Sequence, residues 1–228
     1  MTAKHEGPLE DAPFPEKLNA RVVTPGANPR VHGYDVEGDL AAHYTSSETT
    51  LLCLTGELPS REALAMFEVA SAFLAPVSVA HASAHAAVLA RLCGAMTSTT
   101  IGTAAIGLAE HTRALLDQHE DLLRWLRKPT DDLPGPFRST DAEDAASVER
   151  MRALLATRGF TLRSLDRGPT RTAALLMLLH AAGLFRRERI EAAIVLSRMP
   201  VVIAEALAER PTNFGNYPMN LPRFAYEE

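Results

Sequence analysis

The first residues to ask about chemistry are His81 and His85, which stand four apart in the chain. On a helix that spacing puts both rings on one face, as two zinc ligands would be. No third ligand of the right kind follows, and the glutamate of a metalloprotease motif is missing. The pair is therefore read as buried or substrate-facing helix histidines, and no metal is expected. Arg198 and Arg210 flank an apolar helical stretch near the end of the chain. A guanidinium fork suits a carboxylate and keeps its charge when desolvated. The plainer reading makes Arg198 a helix-end residue and Arg210 a solvated one. His111, preceded by Glu110, reads from the residues alone as a surface histidine on an amphipathic helix. The helix start Pro169–Thr172 offers free backbone N–H groups, a fair place for a carboxylate or phosphate. No Ser-His-Asp order, P-loop or glycine-rich dinucleotide turn occurs.

These residues need a folded, positioning scaffold, and the composition supplies one. The chain has 228 residues, 46% hydrophobic and 22% charged, enough for a sizeable core in one large or two small domains. A formal net charge of −5 and a pI near 5.9 argue against a nucleic-acid partner, which would need clustered Lys and Arg. No apolar run is free of charge for long enough to span a bilayer, so no membrane association is expected. Met1–Pro15 is polar and proline-rich, unlike a signal peptide. Cys53 and Cys93 lie in apolar helical contexts and are read as two free buried thiols in a reducing cytoplasm. Alanine and leucine dominate while aromatics make up 6%, which favours helices over a β-sandwich.

The elements follow from apolar spacing and punctuation. Residues 1–18 carry Pro8, Pro13 and Pro15 and read as a loose arm, and Ala20–Thr24 as one short strand. A helix is expected over Asp39–Leu54, closed by Gly56 as a left-handed cap and Pro59. Ser60 is an N-cap for Glu62–Leu74, with Leu64, Phe67 and Phe73 inward. Helices are also expected over Val77–Gly94 and over Thr99–Leu126, with a break near Gly107. Pro129–Ser139 is the best internal boundary. Thr140 and Glu143 have capping-box spacing and open Ala142–Arg158, which Gly159 ends. Pro169-Thr170 starts a helix that runs to Gly183. Arg186–Ser197 and Pro200–Glu209 complete the set, the second with an early proline. The tail Pro211–Glu228 reads as extended, and no internal repeat is present.

The order of these pieces resembles that of a citrate synthase. Gly33-Tyr34 matches that family's GY, with Val31 and His32 where it has an aromatic residue and arginine. Leu51-Leu52-Cys53-Leu54-Thr55-Gly56-Glu57-Leu58-Pro59 matches its leucine-rich run closed by GELP. Ser197-Arg198-Met199-Pro200-Val201-Val202-Ile203-Ala204-Glu205-Ala206-Leu207 parallels its late helix, and Arg210-Pro211 the arginine-proline that follows. Glu205 falls where many members have histidine. Val77–Cys93 and Thr100–Leu108 resemble the family's histidine-containing segment and its small-residue helix. There the catalytic GPLHGGAN is replaced by Gly107-Leu108-Ala109-Glu110-His111-Thr112-Arg113-Ala114. The double glycine is absent. Glu110 takes the histidine's place if Gly107 is aligned, and His111 is one residue away. A second histidine, in a GHR segment, has only Leu133-Pro134-Gly135-Pro136-Phe137-Arg138 to match it. The aspartate that serves the family as general base has Thr172 at its place, and Asp166 lies upstream. In length and spacing the chain is closer to citryl-CoA lyase modules than to full synthases.

The resemblance implies an all-α fold, with a large helical domain from residues 1–128 and 197–228 and a smaller helical insertion, 129–196. It implies Arg198, Arg210 and His81 as carboxylate-binding residues and His111, more weakly Glu110, as catalytic ones. It also implies a coenzyme A thioester and a 2-oxo carboxylate as substrates, with no tightly bound cofactor. The expected assembly is a homodimer, or a mixed dimer with a paralogue, in which Arg210 reaches the partner's site. The apolar stripes of Val77–Cys93 and Thr99–Leu116 would form the dimer layer, because neither has a fully polar face. Two functions are carried forward: C–C bond formation or cleavage between an acyl-CoA and an oxo acid, and a ligand- or partner-binding relative that has lost the chemistry.

Overall fold

The computed structural model describes residues 18–130 and 132–212 and divides the chain into two compact units, residues 1–45 and 46–228. The loose arm and most of the extended tail therefore lie outside the described residues. In the first unit three two-residue strands pair antiparallel in sequence order: β1 (Val23–Thr24), β2 (Arg30–Val31) and β3 (Tyr34–Asp35). The sequence supplies one strand signal there; the other two strands are tied by turns at Pro25-Gly26 and His32-Gly33, and both glycines take positive φ. The Asp35 carboxylate accepts a bond of 2.7 Å from the Gly38 N–H and opens a wide turn, Val36–Leu40, leading into α1 (Ala41–His43). The single helix expected from Asp39 is thus interrupted, because Tyr44 adopts an extended backbone.

The second unit is all-helical among the described residues: α2 (Ser46–Thr55), α3 (Arg61–Leu74), α4 (Ala82–Leu92), α5 (Thr97–Gln118), α6 (Glu120–Arg127), α7 (Ala142–Thr157), α8 (Arg171–Ala181) and α9 (Arg187–Ala208). Gly56 takes φ +88° and its N–H reaches the Leu52 carbonyl, so the GELP turn is a left-handed cap as expected. Ser60 accepts from the Ala63 N–H and Thr170 from the Ala173 N–H, each opening its helix. On α7 the cap is Asp141, accepting from the Glu143 N–H, and not Thr140. A short carboxylate one residue nearer the helix reaches the free N–H groups directly.

Three helices differ from the sequence expectation. The segment before Ala82 is not helical, so α4 is shorter and His81 is its N-terminal flank. α5 passes through Gly107 without a break and ends at Gln118, and His119 separates it from α6. α9 runs straight through Pro200. A proline removes one helix bond, here the one to the Leu196 carbonyl. Leu196 and Pro200 are both exposed, so that carbonyl lies on the wet side of a helix held by its other face. Cys53 and Cys93 are free but exposed, because the apolar faces of α2 and α4 turn other residues inward.

Two apolar clusters hold the unit together. The larger joins α2, α3, the end of α5, α6, α7, α8 and the first half of α9 through Met66, Leu116, Met151, Leu176 and Ile194. The smaller joins α4, α5 and the second half of α9 through Ala84, Val88, Ala104, Leu108, Val202 and Ala206. No helix among the described residues is long and apolar enough to cross a membrane.

Candidate anion-binding site

The small side chains of the second cluster let three helices approach closely, and that closeness sets the site. Gly107 on α5 lies over Ser83 on α4: a Cβ built on Gly107 would stand 3.0 Å from the Ser83 Cα. Only glycine fits there without displacing backbone. Ser83 is itself buried, and its hydroxyl lies 2.9 Å from Nδ1 of His81. His111 is one helical turn beyond Gly107, on the same face of α5. The crossing therefore brings the two rings together, with centroids 4.1 Å apart and planes at 81°.

Arg198 completes the group from α9, where the two apolar clusters meet. Its Nε and Nη1 are buried and have no hydrogen-bond partner. Burial pulls the guanidinium below its ordinary pKa, and the positive charge of Arg171 adds to that. His81 is lowered by burial and then by Arg198. His111, though exposed over much of its surface, is lowered by burial of part of the ring, then by His81 and by Arg198. The charge–charge effects within this group are all between like charges. A desolvated guanidinium with unmet donors and no carboxylate beside it is a site that calls for an anion.

The other sequence candidates lie elsewhere. Glu110 is exposed and pairs with Arg113 at 2.6 Å along the surface of α5. Asp166 pairs with Arg152 at 3.0 Å. Arg210 is exposed just past α9. The N–H and hydroxyl of Thr212 both bond to the Leu92 carbonyl, which fixes this stretch at the C-terminal end of α4. His81 stands at the other end, about 16 Å away along the helix. One chain therefore unites His81, His111 and Arg198 and leaves Arg210 apart. Among the described residues no three His, Cys, Asp or Glu gather to hold a metal ion. Arg171, exposed but near enough for its charge to act on Arg198, is a residue that sequence reasoning missed. Its signal was the helix start at Pro169–Thr172, read there for its backbone N–H groups and not for its side chain.

Neither a protein-family model nor a curated protein matches the sequence. Solved structures do. The citryl-CoA lyase from Hydrogenobacter thermophilus superposes with a TM-score of 0.63 at 14% identity, over 92% of this chain and 96% of that one. The ATP citrate lyase from Methanothrix soehngenii, solved with citrate and coenzyme A, gives 0.52 at 15% identity. That match takes in 93% of this chain but 43% of the lyase. At such identities the likeness is one of fold, and the chain has the citrate-synthase-like helical fold of these proteins.

Proposed function

We propose that the protein binds a carboxylate ligand of the 2-oxo-acid or citrate type at Arg198, His81 and His111, and takes a coenzyme A thioester beside it. The supporting observation is the buried, unpartnered Arg198 guanidinium next to two neutral-leaning histidines. Structures of similar fold are named for citryl-CoA and citrate cleavage, and one holds citrate and coenzyme A. In the condensing direction a base removes a proton from the thioester α-carbon. The enol attacks the keto carbon, and the new alkoxide takes up a proton. In the cleaving direction the hydroxyl loses its proton, the C–C bond breaks and the enol is reprotonated. Arg198 would hold the carboxylate, and a neutral imidazole would donate to the developing enolate oxygen.

A second reading rests on a specific observation. Glu110 and Asp166, the carboxylates the sequence offers as a general base, are each committed to an exposed arginine. Loss of a general base lowers the rate by about two to four orders of magnitude. The second reading is a binding subunit that keeps the carboxylate pocket and leaves the chemistry to a paralogue. In either case the reading includes a dimer, a cytoplasmic setting, and a functional division into residues 1–128 with 197–228 against 129–196.

The test is twofold. Thermal stability is measured with citrate, oxaloacetate, coenzyme A and acetyl-CoA added separately, and release of oxaloacetate from citryl-CoA is followed in parallel. A ligand at a hundredfold excess over its Kd stabilises by about 2.7 kcal/mol. Stabilisation by a carboxylate and a coenzyme A compound with turnover supports the enzyme. Stabilisation without turnover supports the binding subunit. No stabilisation by any of them refutes both.

A further inference from the structure

We infer that Ser83 is a positioning residue of this site: its buried hydroxyl donates to Nδ1 of His81 and so leaves Nε2–H as a fixed donor for the ligand's carboxylate. This rests on the carboxylate-binding reading above. His81 stands just before the first turn of α4, where a side chain ordinarily accepts from a free helix N–H. It makes no such bond. Its ring turns instead to Ser83, the second residue of the helix, with Nδ1 2.9 Å from the hydroxyl oxygen. Ser83 is 2% exposed. Its backbone is held in place because α5 crosses it closely at Gly107, where a Cβ would stand 3.1 Å from the Ser83 Cβ. Alanine would pass Gly107 just as well, so the crossing alone gives no reason for a hydroxyl.

Hydrogen-bond accounting sets the direction of the bond. A neutral imidazole has one donor and one acceptor nitrogen, and a hydroxyl has one proton to give. The Ser83 hydroxyl has no second partner among the described residues. If Nδ1–H donated to it, the hydroxyl proton would be buried without an acceptor, which is unfavourable. If the hydroxyl donates, both groups are satisfied and the ring proton sits on Nε2. That nitrogen has no partner among the described residues, and it is not closed off from solvent as Nε and Nη1 of Arg198 are. A ligand can therefore reach it. His111 meets the same ring edge to face, with centroids 4.1 Å apart, and limits its rotation. Arg198 then supplies the charge and His81 a neutral donor of fixed place, two different contacts for one anionic group.

The experiment is nitrogen NMR of the full chain carrying isotope-labelled histidine, at about pH 8 where the rings are neutral, beside calorimetric titration with citrate. Ring nitrogens with and without a proton differ widely in shift, and His81→Asn identifies the His81 signals. Ligand-free wild type should carry the His81 proton on Nε2. Ser83→Ala should give a mixture of the two tautomers and bind citrate about two- to tenfold more weakly, the scale of one hydrogen bond. Ser83→Cys, which keeps the volume and offers a weaker donor, should fall between the two. Melting curves of both variants should match wild type. A proton on Nδ1 in wild type overturns the role of Ser83 and leaves the carboxylate site standing. A wild-type tautomer or wild-type citrate affinity in Ser83→Ala does the same. Failure of wild type to bind citrate refutes the carboxylate reading, and this inference with it; the tautomer is measured without ligand, so the two failures are told apart.

Discussion

His81 and His111 meet edge to face at 4.1 Å because Gly107, one turn before His111, lets α5 rest on Ser83 of α4. A larger side chain at Gly107 has to push the helices apart. Gly107→Val should cost about 1–3 kcal/mol, the range for overpacking a tight contact. It should also separate the two rings and weaken carboxylate binding. Chemical denaturation and a binding titration on the same preparation check this; a stable variant with wild-type affinity contradicts it.

The pair also sets a pH dependence. Both rings titrate below 6.5 in the folded chain, chiefly because burial disfavours the imidazolium. As pH falls through 6.5, the unfolded chain binds protons first, so stability of the ligand-free protein drops. Ligand affinity should move the opposite way. An anion favours the imidazolium, so oxaloacetate, whose carboxyls stay ionised, should bind more tightly from about pH 8 down to about pH 5.5. Melts and titrations across that range are the check. A flat affinity would mean that the rings do not sense the ligand.

Arg210 presents a geometric problem with a specific answer. It lies just past the end of α9, and Arg198 is about 15 Å back from that end along the helix. If Arg210 serves a carboxylate, the site belongs to a second copy. Light scattering should give a dimer, and Arg210→Ala should weaken citrate binding. Mixing Arg198→Ala with Arg210→Ala protomers should restore binding, because each hybrid dimer then has one intact site. A monomer at micromolar concentration, or no recovery on mixing, contradicts the shared site.

The fold was largely legible because its signals are local. Gly56, Ser60, Thr170 and Gly159 mark helix ends by backbone demands that no tertiary context overrides. Pro200 misled because a single missing N–H costs little when the rest of a long helix is held by packing. The cysteines misled because an apolar neighbourhood in sequence does not say which face turns inward. The site was only half legible. His81, His111 and Arg198 were named singly, but their meeting depends on a glycine–serine crossing between two helices. Arg171 was missed because the Phe73 carbonyl that holds it belongs to α3, far away in sequence.

Arg198 Nε and Nη1 are buried without a hydrogen-bond partner, as a residue kept for a ligand and not for stability would be. Desolvating an unpaired charge is unfavourable, so Arg198→Met, which keeps the packing of the stem, should leave the ligand-free protein as stable as wild type or more so by about 1 kcal/mol. The decisive measurement is a citrate titration of wild type and Arg198→Met beside their melting curves. The account predicts citrate binding by wild type, none by the variant, and an equal or higher melting temperature for the variant. Equal citrate affinity in the two proteins, or a variant that unfolds, would contradict it.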